Sequence, residues 1–239
     1  MKRPFLRPAL VWLLAAVLMA LGIVMGFLLS LAGGRRTFWW IAPIYIRFIG
    51  WAFGIERQLE GWEGLPEAIR KGEQPVIFIG NHTSLFDPPL VISTLPTRPV
   101  FIAKRELAYV PFLGWMIWMA GFIFIDRHRS KRAVQSLAKA AQRIRQGRSI
   151  IAFPEGTRSC TGELLPFKKG LFNVAIEAGV PIVPLVIHGG LKILPKDAWR
   201  VAPGSYRIQV GKPLDTTVFK NAEALRLASE QALRAILKA

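Results

Sequence analysis

The sequence predicts an α/β fold: a mixed, largely parallel sheet flanked by helices and preceded by an N-terminal membrane-associated helical segment. Three features carry that expectation. They are a long amino-terminal stretch without charge, six short apolar runs farther on, and helical stretches with recognisable ends between those runs. At 239 residues the chain suffices for one sizeable core plus an accessory segment. The expected division is a membrane anchor of one or two apolar helices over 1–56 and a globular unit over 57–239.

The anchor rests on Pro8 to Gly34, 27 residues with no charge. As a helix, Ala9 to Leu31 would run roughly 34 Å at about 1.5 Å per residue, enough to cross a bilayer. A cleaved signal peptide competes, since Lys2, Arg3 and Arg7 precede the run and Ala32, Gly33 and Gly34 end it, but the run is longer than such a segment usually is. A second block, "TFWWIAPIYIRFIGWAFGI" (37–55), follows Arg35 and Arg36 and holds one charge, Arg47. It fits a hairpin that dips into or lies along one leaflet, and equally an ordinary core helix after a spanning one. Basic residues flank both sides of the first stretch, so charge gives no vote on topology.

After Ile55 the pattern changes. "PVIFIG" (75–80), "PVFIA" (99–103), "FIFI" (122–125), "SIIAF" (149–153), "PIVPLVI" (181–187) and "YRIQVG" (206–211) read as strands, most of them covered on both faces. Pro66 opens a short helix that Gly72 ends. Ser130 caps another that runs to about Arg145 and stops at Gly147, and Asn221 caps the last.

In open α/β sheets, sites gather where strands hand over to loops at their carboxyl ends. Two polar clusters stand there, "NHTSLFDP" after the first run and "PEGTRS" after "SIIAF", with "KRE" (104–106) as a weaker third. His82 and Asp87 are five positions apart, about 140° out of phase on a regular helix, so they meet only across a turn. Pro88 suits a first helical position and Asp87 the cap before it, which places the turn at 83–86. An aspartate beside the ring would fix its tautomer and make it a better proton acceptor, and an imidazole's ordinary pKa of about 6.5 suits a general base. The plainer alternative is a capping aspartate and a histidine that merely finishes a strand.

In "FPEGTRS", Arg158 offers a planar fork for phosphate or carboxylate, Gly156 lets the backbone come close, and Glu155 can hold a guanidinium. Lys168 and Lys169 follow, with Lys104, Arg105 and Arg127 at other strand ends. A base among cations points to an anionic substrate whose hydroxyl is to be deprotonated.

The net charge of +17, from 32 Lys and Arg against 15 Asp and Glu, implies an acidic partner. Beside an anchor this is anionic lipid, with about 1 kcal/mol gained per basic residue near the headgroups. Residues 126–148 hold eight Lys or Arg and one acid, partly a solvated face and partly a lipid-facing one. No helix-turn-helix, zinc or stacking motif supports nucleic acid as the partner. His82, His128 and His188 are scattered without ligand spacing, so no metal and no cofactor is expected. The lone Cys160 excludes an internal disulfide.

At these residues the sequence resembles the glycerolipid acyltransferase family of the phospholipid pathway. Four ordered blocks match over roughly residues 75 to 190. The first is Asn81, His82 and Asp87. The second is "AKRELAYVPFLGWMIWMAGFIFIDR" (103–127), with Lys104, Glu106, Leu107, Pro111, Gly114 and Trp115 in the familiar places. The third is "FPEGTRS", and the fourth "VPIVPLVI" (180–187), centred on Pro184. The resemblance implies that His82 is general base on an acceptor hydroxyl, that Asp87 orients it, and that the hydroxyl attacks an acyl thioester directly, with acyl-CoA or acyl-carrier protein as co-substrate. It implies 1-acyl-sn-glycerol 3-phosphate as acceptor and phosphatidic acid as product, other lysolipids or glycerol 3-phosphate remaining alternatives. Lys104, Arg127, Glu155, Gly156, Thr157 and Arg158 are then the substrate-binding set, Glu155 steadying Arg158. The expected place is the cytoplasmic membrane, with the catalytic unit facing the cytosol. Two other readings are a hydrolase using Ser84, two residues from His82, and a non-catalytic protein that binds anionic lipid.

Overall fold

Val76, Ile77, Phe78 and Ile79 are fully enclosed, as an unbroken apolar run requires of a strand covered on both sides. In the computed structural model, which describes residues 8–111, 113–126, 130–198 and 200–238, they lead into the centre of a seven-stranded sheet. Few side chains before residue 36 and none of those at 130–135 belong to that description. The chain runs α1 (Pro8–Ala52), β1 (Ile55–Glu60), α2 (Glu67–Arg70), β2 (Ile77–Gly80), α3 (Asp87–Thr94), β3 (Val100–Lys104) and α4 (Leu113–Met119). It continues β4 (Ile123–Ile125), α5 (Ser130–Arg145), β5 (Ile150–Ala152), α6 (Gly170–Ala178), β6 (Ile182–His188), α7 (Gly190–Ile193), β7 (Gly204–Val210) and α8 (Ala222–Lys238).

Strand order is β1-β7-β6-β2-β5-β3-β4. All pairs are parallel except β6 with β7, so the sheet is mixed and largely parallel, as expected. The six expected strands are present within about two residues of their predicted ends. The seventh, β1, was not anticipated. Its sequence "IERQLE" holds two apolar residues, Ile55 and Leu59, and its exposure alternates at the sheet edge with only Ile55 buried.

Alternate residues of the central strands serve two cores. Phe78, Phe101, Ile151, Val183 and Leu185 face one, and Ile77, Ile79, Ile150, Ala152 and Ile182 face the other. Each large side chain so buried contributes about 1.5–3 kcal/mol. The first core is closed by residues of α1, α3 and α4, the second by α5, α6 and α8. Asn221 Oδ1 accepts from the amides of Glu223 and Ala224 at 3.0 Å each, the cap expected for α8. α3 begins at Asp87 rather than Pro88, because that carboxylate turns back to serve the preceding turn.

α1 is interrupted at Gly34, whose backbone (φ 63, ψ −158) is not helical. Beyond the break, Phe38, Trp39 and Ile49 are buried, Trp39 Nε1 donates to the carbonyl of Ala120 at 3.1 Å, and Arg47 Nε donates to that of Ser93 at 3.0 Å. The second block is therefore a helix packed along the core, with Trp40, Ile44, Phe48 and Trp51 left exposed on its other side. Among the described residues, no helix is long and apolar enough to cross a membrane.

Candidate active site

β2, β5 and β3 are parallel, so the loops after Gly80, Ala152 and Lys104 leave one edge of the sheet together. The two polar clusters of the sequence meet there. Asn81 is tied by its side chain to β6, Nδ2 donating to the carbonyl of Ile187 at 3.0 Å and Oδ1 accepting its amide at 2.7 Å. The side chain thus supplies one more rung of sheet pairing after the strand proper has ended.

The chain then curls around a carboxylate. Asp87 Oδ2 lies 2.8 Å from His82 Nδ1 and accepts from the amides of Thr83 and Ser84 at 2.8 Å each. The carboxylate is the acceptor for both amides, so Nδ1 carries the proton toward it and Nε2 is left as the proton acceptor. Asp87 is fully buried, whereas 18% of the His82 side chain is exposed, so the carboxylate is sealed and the imidazole partly open. Phe153 stacks on the imidazole with ring centroids 4.2 Å apart and planes at 11°, which fixes the plane of the ring.

The third block grips the backbone of the same histidine. The His82 amide donates to Glu155 Oε1 at 2.8 Å, and the Ser159 amide donates to the His82 carbonyl at 2.7 Å. Glu155 Oε2 accepts from the amide of Leu165 at 3.0 Å. Burial pushes the Glu155 carboxyl up to about 7; the Leu165 and His82 amides pull it down, nearby Asp87 adds to the rise, and Arg234 opposes it.

This corrects one expectation. Glu155 does not hold Arg158: its oxygens accept from backbone amides, and Arg158 Nη1 donates to the carbonyl of Lys196 at 3.3 Å. Thr157 and Arg158 directly precede Ser159, whose amide is bonded to His82, and Gly156 has the left-handed backbone (φ 74). A Cβ on Gly156 would come 3.0 Å from Lys168 Nζ, so that ammonium lies directly over the loop. Lys104 stands exposed at the end of β3, 3.4 Å from Glu106. Arg105 pairs with Asp126 at 3.0 Å, and Arg127 lies outside the described residues.

The hydrolase reading loses its nucleophile. Ser84 is fully buried, its hydroxyl donates to the carbonyl of Leu194 at 2.9 Å, and its oxygen accepts from the Phe86 amide at 3.1 Å.

Sequence reasoning missed the Phe153 stack, the Asn81 bridge and the part played by Gly190. A Cβ at Gly190 would meet Asp87 Oδ1 at 2.5 Å and Thr83 Oγ1 at 2.7 Å, so the backbone after β6 can lie against the aspartate only without a side chain. Of these three, Phe153 and Asn81 left a signal, as the opening residues of the third and first blocks, and Gly190 left none.

Comparison with known proteins agrees with this geometry. A family profile described as Acyltransferase matches residues 57–188. The 1-acyl-sn-glycerol-3-phosphate acyltransferase of Saccharomyces cerevisiae is 32% identical over 216 residues, 89% of this chain and 69% of the yeast protein. The alpha form from Homo sapiens is 36% identical over 177 residues, 74% of this chain and 61% of its own length. Among solved structures, the 1-acyl-sn-glycerophosphate (LPA) acyltransferase PlsC of Thermotoga maritima superposes with a TM-score of 0.82 at 28% identity, covering 97% of this chain and 95% of that one.

Two outcomes are expected. Gly190→Ala should displace the Asp87 carboxylate, lowering kcat of whatever reaction the site performs by about tenfold or more and stability by about 1–3 kcal/mol; urea unfolding and steady-state kinetics measure both. Because the Glu155 value rises from 4.5 to about 7 on folding, the native protein keeps a proton that the unfolded chain has released across that window. This group therefore makes stability fall as pH rises from 4.5 to about 7, and Glu155→Gln should flatten that slope in thermal midpoints measured over the same range.

Proposed function

We propose, from the premise that this chain belongs to the acyltransferase family, that it moves an acyl chain from a thioester to the free hydroxyl of 1-acyl-sn-glycerol 3-phosphate, giving phosphatidic acid. The observation that carries the reading is the exposed imidazole whose Nδ1 is committed to a buried carboxylate, on a loop laced to a second loop that bears cations. Nε2 of His82 takes the proton of the acceptor hydroxyl as its oxygen attacks the thioester carbonyl. The tetrahedral adduct collapses, the C–S bond breaks, and the imidazolium returns the proton to the leaving thiolate. One C–O bond replaces one C–S bond and no proton is gained or lost, so no serine intermediate is needed. Arg158, Lys104 and Lys168 are the cations offered to the acceptor phosphate, with Gly156 and Thr157 letting it approach the backbone. Acyl-CoA and acyl-carrier protein both fit this chemistry as donors.

The acceptor lives in a membrane, and the surface suits one. Beyond Gly34, α1 exposes Trp40 and Trp51, at 68% and 73%, with Ile44 and Phe48 between them on the same side. α4, packed against α1, exposes Trp115 and Trp118. Indole rings gather at the boundary between headgroups and acyl chains, where an apolar body and a polar N–H are both satisfied. On this proposal α1 and α4 seat the unit on one leaflet, the basic surface adds attraction to anionic headgroups, and the catalytic loops face the cytosol.

Purified protein assayed by mass spectrometry with a panel of lysolipids, glycerol 3-phosphate and both kinds of thioester tests the reaction. His82→Ala should lower kcat by about 100- to 10,000-fold with fold and membrane binding intact. Ser84→Ala should stay within a few-fold of wild type while losing about 1–3 kcal/mol of stability, because the Leu194 carbonyl loses its donor. Substantial transfer by His82→Ala, or a covalent acyl-enzyme at residue 84, would overturn the mechanism. For the membrane face, vesicles of brominated phospholipid should quench emission that Trp40→Phe and Trp51→Phe remove and Trp62→Phe does not. Equal losses from all three would speak against that orientation.

A further inference from the structure

The family profile ends at residue 188, yet the last helix reaches the loop after β5, whose Glu155 holds the His82 amide. Arg234 on α8 donates from Nη2 to the carbonyl of Leu164 at 3.3 Å. The amide of Leu165, the other end of that same peptide group, donates to Glu155 Oε2 at 3.0 Å, and Glu155 Oε1 holds the His82 amide at 2.8 Å. A guanidinium on the carbonyl end of a peptide polarises it and strengthens its N–H as a donor. The guanidinium is itself held: Nε and Nη2 reach Glu230 Oε1 at 3.2 and 2.8 Å, and Glu230 Oε2 takes Arg226 Nη1 at 3.1 Å. These pairs are one helical turn apart, so the fork is aimed before it meets Leu164.

We propose that Arg234 is a positioning residue for the acyl transfer: acting through the Leu164–Leu165 peptide, it steadies the grip of Glu155 on the His82 amide, and so helps keep the imidazole on Asp87. This rests on the reading of His82 as general base. The groups facing Glu155 are the amides of His82 and Leu165, the carboxylate of Asp87, which opposes its ionisation, and Arg234, which favours it. Burial already disfavours the charge, so a cation at the rim has leverage. A carboxyl that takes up a proton keeps one good acceptor oxygen and releases one of its two amides. Removing Arg234 therefore raises the pH below which the His82 loop loosens.

Backbone amide titrations of Leu165 and His82 in 1H–15N spectra of the full chain in nanodiscs read the state of Glu155 without turnover. In Arg234→Leu and Arg234→Gln the shared midpoint should rise by about half a pH unit, while Arg234→Lys stays near wild type. The acid limb of kcat should move by the same amount with KM little changed, and Arg234→Leu should leave the pH profile unaltered when Glu155 is already Gln. An amide midpoint identical to wild type in both neutral variants overturns the inference. So does a kcat lowered by one factor at every pH, the mark of a purely structural role. A shifted midpoint in a protein that transfers no acyl group, wild type included, upholds the coupling and refutes the catalytic reading instead.

Discussion

One carboxylate oxygen organises this end of the molecule. Asp87 Oδ2 gathers the imidazole Nδ1 and two consecutive amides, each at 2.8 Å, in a place closed to solvent. An uncompensated buried charge is costly, so the chain can bury this one only by bending until three donors converge on it. That bend dictates the course of 82–86, sets the start of α3 at the acid itself, commits the Ser84 hydroxyl to Leu194, and requires a residue without a side chain at 190. From behind, Tyr206 sends its hydroxyl to the Asp87 carbonyl at 3.4 Å. The open edge of the imidazole is offered outward, and its direction follows from everything beneath it.

A division of labour between charges accompanies the geometry. The acids of the site, Asp87 and Glu155, are buried and bonded to backbone, so they build loops and are not offered to a ligand. The cations Lys104 and Lys168 sit at the rim, and among the described residues Arg158 has a single carbonyl contact. An anion arriving there meets positive charge first, and the negative charge beneath the imidazole stays out of its way.

How far this could be read beforehand differs by residue. The pairing of His82 with Asp87 was legible because a five-residue gap ending in Pro88 leaves a turn as the only way for them to meet. The central strands were legible because double coverage demands unbroken apolar runs. β1 was hidden because an edge strand buries so little that its pattern of charge looks like a loop. The partners of Glu155 were hidden for another reason: both are backbone amides, which every residue carries, so no spelling of the sequence marks them. Gly190 was silent in the same way, since a glycine needed for space looks like one needed for a turn.

The sealing of Asp87 has a consequence for ionic strength. Mobile ions weaken attraction between solvent-facing charges over distances of about 8–10 Å at moderate salt, and reach buried pairs far less. Added salt will thus bear on the solvent-facing lysines at the rim, and hardly on the buried aspartate beneath the imidazole. The charged rim and the sealed carboxylate thus answer to different properties of the surrounding solution.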